Sequence, residues 1–434
     1  MKYIIYFSIF VVAINAQGQS GQTISPLSFN ETSGSGIESP SSVASGIWST
    51  AIGFSAEATN QVAVAMGDNT TASGSRSTAM GINTTASGEY STALNGDTQA
   101  IGDYSLAAGS SSIASGNYSS AFGIQTQASG GGSTAMGAGT IADGASSTAM
   151  GQGSIASANF STAMGINTNA SGQGSTASGS ATEASGLDST ASGFNTLASG
   201  NGSNATNTQT QASGEGSTST GGFTLASGIY SIAGGDSSIA SGNYSSAFGI
   251  HTVADGWGTT AIGTFNDINE DNINVDFSLD NTAFVIGNGW YDNNQGAYVR
   301  SNALEVLFDG TTTIAGDLNI NSDARLKANI ISLGATLSKL LQIDGKSYTM
   351  KKDANNKKKI GLLAQDIEKV FPELVTETKN IKSVNYQGLV PVLINAMKEQ
   401  QEEIQALKQQ QKQITQQQKE IDELKTMIIQ LSKE

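Results

Sequence analysis

A period of fourteen residues constrains this chain more than any other feature. The pentapeptide Ser-Thr-Ala-Met-Gly begins at Ser77, Ser133, Ser147 and Ser161, all offset by multiples of fourteen. Stepping by fourteen from Ser49 to Thr259 gives sixteen registers of one pattern: Ser-Thr-Ala-Met-Gly, two variable residues, Thr-x-Ala-Ser-Gly, two more. The third position is Ala except at Ser219, and the fifth is Gly except at Asn95 and Asn207. The twelfth is Gly nearly throughout, with Asn60 and Ala158 as exceptions. Asn is the non-Gly residue that best tolerates positive φ, so its appearance at the fifth position predicts a left-handed turn there.

Two Gly turns in fourteen residues leave two short strands per unit. Neither can bury a face alone, so the units must stack as a parallel β-solenoid or roll. Fifteen steps at the strand spacing of ~4.8 Å give a rod roughly 70 Å long. Ala at fixed positions suits a thin interior. The fourth position is often larger (Ile52, Met66, Met80, Phe122, Met150 and Phe248 among others), and an apolar stripe along a thin rod calls for self-association around a symmetry axis. The eighth is Thr or Ser in every register from Thr70 to Thr252. That ladder reads as solvent-side strand chemistry, with an ice- or carbohydrate-binding face as the alternative.

Composition divides the chain at one point. Residues 17–321 carry two basic side chains, Arg76 and Arg300, against 22 acidic ones, whereas residues 322–434 carry 18 basic against 14 acidic. The acidic part argues against nucleic-acid binding, because phosphates would be repelled. Lys2 before the apolar run Tyr3–Ile14, with Ala16 at a plausible cut, reads as a secretory signal peptide. The chain has no cysteine, so disulfides do not stabilise it. His251 is the single histidine, too little for a zinc site or a histidine-based triad, and is expected on the surface of the roll. No metal and no cofactor is expected. Trp48, Trp257 and Trp290 are expected in packing or subunit contacts.

The repeats resemble the head repeats of YadA-like trimeric autotransporter adhesins over about residues 41–263. The resemblance implies a trimeric, left-handed parallel β-roll that binds a host or surface ligand, protein or glycan. Those adhesins end in a membrane β-barrel, which has no counterpart here, so no transmembrane anchor is expected. Residues 264–321 break the period. "NDINEDNINVDF" reads as a solvated acidic loop, with calcium binding as a weaker alternative. "TAFVIGNG" and "ALEVLFDGTTTIAGDLNI" read as strands with Asn-Gly and Asp-Gly turns, an intertwined β-collar or shaft.

Beyond Ser322 the pattern becomes that of a small α/β domain. "LGATLSKLLQI" has helical spacing at Leu333, Leu337, Leu340 and Leu341, and "KSYTMKKD" with "ANNKKK" suggests a hairpin. Leu362, Leu363, Ile367 and Val370 form a helical face that Pro372 interrupts. "SVNYQGLVPVLINAMKEQQEEIQAL" begins a long helix. Leu393, Leu407, Ile414, Ile421 and Ile428 share one heptad position and Ala396, Leu424 and Leu431 another, with Gln400, Gln410 and Gln417 as polar layers; this is a coiled-coil seam.

"SDARLKANI", "IGLLAQDIEKVFPELV" and "VNYQGLVPVLINAMKEQ", in that order, resemble the endosialidase-type intramolecular chaperone family that terminates phage tailspikes and fibres. The resemblance covers about residues 322–420. It implies a module that trimerises, guides folding of the β-rich fibre before it and then cuts itself off. By motif position, Ser322 would be the nucleophile at the Asn321–Ser322 bond and Lys327 its general base, with Asp323 and Arg325 in support.

The chemistry has its own logic. A serine hydroxyl needs a base to take its proton, and lysine serves if burial or nearby cations favour its neutral form, with Arg325 a candidate neighbour. Ser322 lies next to the preceding carbonyl, so attack there is intramolecular; spacing leaves open whether it comes from the same chain or another. On residue chemistry alone, Ser322 and Lys327 read as the start of a domain with Lys327 solvated; the linked motifs turn them into a cleavage pair.

The expected architecture is mainly β: signal peptide (1–16), linker (17–40), β-roll head (41–263), β-collar (264–321), chaperone and auto-processing domain (322–392) and trimeric coiled coil (393–434). The expected function is an exported, adhesin-like homotrimeric fibre at a bacterial surface, whose only enzymatic activity is self-cleavage. A phage tail fibre is an alternative, against which the signal peptide speaks.

Overall fold

In the computed structural model, residues 28–30, 36–268, 276–351 and 356–432 are described. The proposed signal peptide lies outside them, as do most of the linker, residues 269–275 of the acidic loop and residues 352–355 of the hairpin turn. The chain divides into two units, residues 1–318 and 319–434.

Every turn of the first unit contributes one longer and one two-residue strand, as Thr134–Ala138 and Ile141–Ala142 illustrate. The longer strands stack into one parallel sheet and sixteen short ones into a second. Between the two end strands, partners are fourteen residues apart: Ala135 sits beside Ala149, and Ala142 beside Ala156. Backbone amides of each turn donate to carbonyls of the next, as Thr71 to Thr84 at 2.8 Å.

Four columns of side chains point inward. The third- and tenth-position alanines are fully buried. So are the first-position Ser and the eighth-position Thr or Ser residues. The Thr ladder therefore faces the interior and offers no ice- or sugar-binding surface. Alternation explains the inversion: residues two apart on a strand share a face, and the tenth-position Ala is inside. Where Ser replaces Thr in the eighth column, it bridges: Ser112 Oγ donates to Gly123 O at 3.0 Å and accepts from Thr126 Oγ1 at 2.8 Å. The one Ser in the third column, Ser219, bonds Thr224 Oγ1 at 2.8 Å within its own turn.

The glycine columns have different causes. Fifth-position Gly137 has φ +122°, a region closed to L side chains, and a Cβ there would lie 2.0 Å from Gly151 O. Twelfth-position Gly200 is outside the left-handed region; it is required because a Cβ would meet Gly214 O at 2.0 Å. The second Gly turn of the sequence reading is thus a close approach between turns. Left-handed residues stand instead at the seventh and fourteenth positions, among them Asn83, Asn167, Tyr90, Tyr104 and Tyr118. Side chains stacked from turn to turn accompany these conformations. Tyr90, Tyr104 and Tyr118 form a ladder with ring centroids 4.9 and 5.0 Å apart, and Arg76 lies 5.0 Å over its first ring. Asn69 donates to Asn83 at 2.9 Å and Asn83 to Asp97 at 3.0 Å.

Both ends of the roll are capped. The strand Gly36–Glu38 pairs antiparallel with Ser28–Asn30 and parallel with Thr50–Ile52. At the other end, Thr282–Asn288 continues the parallel sheet beside Thr260–Thr264 and then pairs antiparallel with Asn302–Leu307. Asp309–Gly310 makes the turn to Thr312–Ile314. Asn288–Gly289 makes no hairpin; the chain runs on to Trp290–Asp292, which turns back to Ala297–Val299. Arg300 donates to His251 O at 3.2 Å and Asn266 O at 2.9 Å, which gives one of the two cations of this region a purpose. His251 stacks on Phe265 and lies tilted against Tyr298, each at 4.8 Å. Trp257 packs on Phe277 and Phe308, whereas Trp48 and Trp290 are exposed.

Among its described residues the second unit holds three α-helices, α1 (Leu337–Leu340), α2 (Ala364–Val370) and α3 (Leu389–Leu431), with antiparallel hairpins Lys346–Tyr348/Lys359–Gly361 and Val375–Thr378/Ile381–Val384. Ile367, Phe371 and Val392 form its core, with Leu340, Leu362 and Val370 against them. The helix expected from Leu333 to Leu341 is a single turn: Gly334 at φ +66° precedes it, and Leu333 and Leu341 are exposed. Leu363 is exposed too, and the inward position falls to Phe371 instead. Glu399 of α3 accepts from the Thr336 and Leu337 amides at 2.5 and 3.1 Å, pinning α1 to the long helix. Ala396 belongs to this core. Further along, Leu407, Ile414, Ile421, Leu424, Ile428 and Leu431 are exposed in the single chain.

Candidate functional site

The site lies where the charge balance changes. Around Ser322 the chain makes one 3₁₀ turn, Ala324–Leu326, with Asp323 as its N-cap. Within it Lys327 Nζ donates to Ser322 Oγ at 2.7 Å. Asp323 and Arg325 pair with each other: Arg325 Nε lies 3.1 Å from both carboxylate oxygens and Nη2 lies 2.6 Å from one. Arg325 therefore holds the Asp323 carboxyl below the usual aspartate range through side-chain and backbone hydrogen bonds. The Arg325 guanidinium thus pairs with Asp323.

All four side chains are exposed in the single chain. The arrangement supplies a hydroxyl and an amine in hydrogen-bond contact, one peptide bond from a carbonyl. Base-assisted attack needs a hydroxyl and an amine within such reach of each other.

A recess of about 200 Å³ lies at the end of the roll, with Asp255, Asp267, Asp280 and Glu305 on its walls. Glu305 accepts from Thr282 Oγ1 at 2.6 Å, and partial burial pushes the Asp255 carboxyl up. Asp267 belongs to the acidic loop that the sequence singled out; Asp255, Asp280 and Glu305 come from separated segments and carried no signal.

The fold is that of a repetitive β-roll followed by a small module with a long helix. Residues 322–376 match the family described as chaperone of endosialidase, and nine segments between residues 44 and 266 match the YadA head domain repeat. The chain thus joins YadA head repeats to a chaperone-of-endosialidase module. Among curated relatives, the long tail fiber protein Gp37 of Salmonella phage S16 is 31% identical over 129 residues, covering 27% of this chain and 17% of that protein. Gp37 of Enterobacteria phage M1 is 31% identical over 119 residues, covering 24% of this chain and 47% of its own length. The chain thus spans less than half the length of these relatives. No helix among the described residues is long and apolar enough to cross a membrane.

Proposed function

We propose that the chain is an exported, homotrimeric, adhesin-like fibre whose C-terminal module aligns three chains for folding and then releases itself at Asn321–Ser322. The observation that carries the processing step is the 2.7 Å contact between Lys327 Nζ and Ser322 Oγ. Ser322 Oγ adds to the Asn321 carbonyl carbon and passes its proton to the Lys327 amine. The C–N bond breaks as Lys327 returns that proton to the Ser322 nitrogen, and water hydrolyses the resulting ester. Neighbouring placement makes the attack intramolecular.

The trimer reading draws support from the exposed seam of α3, from the exposed Met66, Met80 and Met136 of the roll, and from the matched families. The rationale for the module is kinetic. Parallel β-structure relies on non-local contacts and forms slowly, and near-identical turns invite register slips between chains. A coiled coil raises the local concentration of three chains and aligns them.

The test is a denaturing gel of purified protein and its Ser322→Ala form. Expected is a shortened wild-type band, with a released fragment that begins at Ser322, and a full-length mutant. A wild type that stays full length after folding sinks the processing step. The similarity to Gp37 favours a second reading, a phage tail fibre. Sequencing the mature amino terminus separates the two: Gln17 supports export, and a retained Met1 on purified particles supports the tail fibre.

A further inference from the structure

We propose that Asp323 is a positioning residue for the cleavage pair and acts through the backbone turn that it caps. The inference rests on the roles given above to Ser322 and Lys327. Five residues of extended chain would set the two roughly 16 Å apart. Here the Leu326 amide donates to Asp323 O at 3.0 Å and the Lys327 amide to Ala324 O at 3.1 Å. Three residues of 3₁₀ helix rise only about 6 Å, and Lys327 then reaches back to Ser322 Oγ.

A lone turn is costly to nucleate, because several dihedrals are fixed for very few hydrogen bonds. Residues 319 to 334 are all exposed in the chain, so burial does not hold this turn. What holds it is the cap. Asp323 Oδ1 accepts from the Arg325 amide at 2.9 Å, the N-cap interaction that satisfies an otherwise orphan donor. The Arg325 side chain steadies the carboxylate from outside. The cap itself needs only the amide of residue 325, which any residue but proline supplies. An acceptor on a short side chain at 323 is thus the requirement, and the guanidinium at 325 is secondary.

The experiment is a time course of self-cleavage in the full chain. Asp323→Ala is expected to slow cleavage on the order of 100-fold, the cost of misplacing a reacting group by about 1 Å. Asp323→Asn and Asp323→Ser should restore it to within a few-fold of wild type, because all three cap alike, and Arg325→Ala should also stay within a few-fold. Oligomeric mass, measured by light scattering with Ser322→Ala in the background, should be unchanged by Asp323→Ala. Undiminished cleavage in Asp323→Ala, failure of Asn and Ser to rescue, or loss of the oligomer overturns this inference alone. So does an Arg325 amide that exchanges with solvent like an unstructured peptide. A wild type that never cleaves overturns the processing reading and this inference together.

Discussion

The roll and the C-terminal module bury their interiors in opposite ways. Within the roll, the inward side chains are Ala, Ser and Thr, all near zero exposure, and each turn is completed by the turn fourteen residues away. The apolar area per residue is small, and the backbone ladder is the main feature that repeats. In the module, a few large side chains (Ile367, Phe371 and Val392) form the core, while Ile331, Ile360 and Ile381 stand 85%, 86% and 73% exposed. The roll fills its interior with small side chains and keeps larger apolar ones, Met66, Met80 and Met136 among them, on its outside; the module packs a few large side chains inside and leaves others exposed. Truncation should therefore break the module, and enlargement should break the roll.

The largest expected effect tests the first half of that contrast. Phe371→Ala removes the main aromatic of the core and should destabilise the module by about 4 kcal/mol. Hydrogen exchange of the full chain would then show residues 336–396 losing protection while residues 50–260 keep theirs. Loss of protection in both regions would show that the two interiors are not independent. The enlargement test is Ala149→Leu. The added carbons enter a column where Ala149 lies between Ala135 and Ala163, with an expected cost of about 3 kcal/mol. Ala149→Ser, which copies Ser219, should cost far less. Melting curves of the two variants decide the matter, and equal melting temperatures would mean that the interior has room for the added carbons.

A smaller effect concerns the outside of the roll. Tyr104 is the middle of three stacked rings and adopts φ +57°, a conformation unfavourable to bulky residues. Tyr104→Asn removes two stacking partners, each worth about 1 kcal/mol, and returns part of that because Asn tolerates the left-handed region. A net loss of about 1 kcal/mol is expected in thermal unfolding. An unchanged or raised melting temperature would show that the ladder serves something other than stability.

The fourteen-residue register was legible because repetition averages out local ambiguity: every pairing in the roll follows from it. The orientation of the eighth column was also present in the sequence. Its Thr residues stand two before an invariant inward Ala, but Thr carries a solvent-side prior that hid this. The left-handed residues at the fourteenth position were hidden where they are Tyr90, Tyr104 and Tyr118, since Tyr there contradicts intrinsic preference and stacking between turns accompanies it. In the module, exposed Ile360 and buried Ile367 look alike in sequence, because pattern cannot tell a core face from one awaiting another chain. Ser322 and Lys327 were named from a linked motif. Their contact depends on the turn that Asp323 caps, and five-residue spacing alone did not imply it.

The smallest expected effect is one of pH, and it concerns how the module holds itself together. Hydrogen bonds from Thr336 and Leu337 keep the Glu399 carboxyl below the usual glutamate range in the folded chain. A carboxyl with a lowered folded value contributes stability that is fully present above its unfolded value and is lost as pH falls through the folded one. Acidification from neutral should therefore weaken the junction of α1 with α3, and Glu399→Gln should flatten that acid dependence while leaving the roll untouched. Local hydrogen exchange at Leu340 and Leu341, compared between neutral and acid pH, reads the effect directly. If wild type and Glu399→Gln lose protection along the same acid curve, Glu399 is not what fixes α1, and the core formed by Ile367, Phe371 and Val392 holds that helix by packing alone.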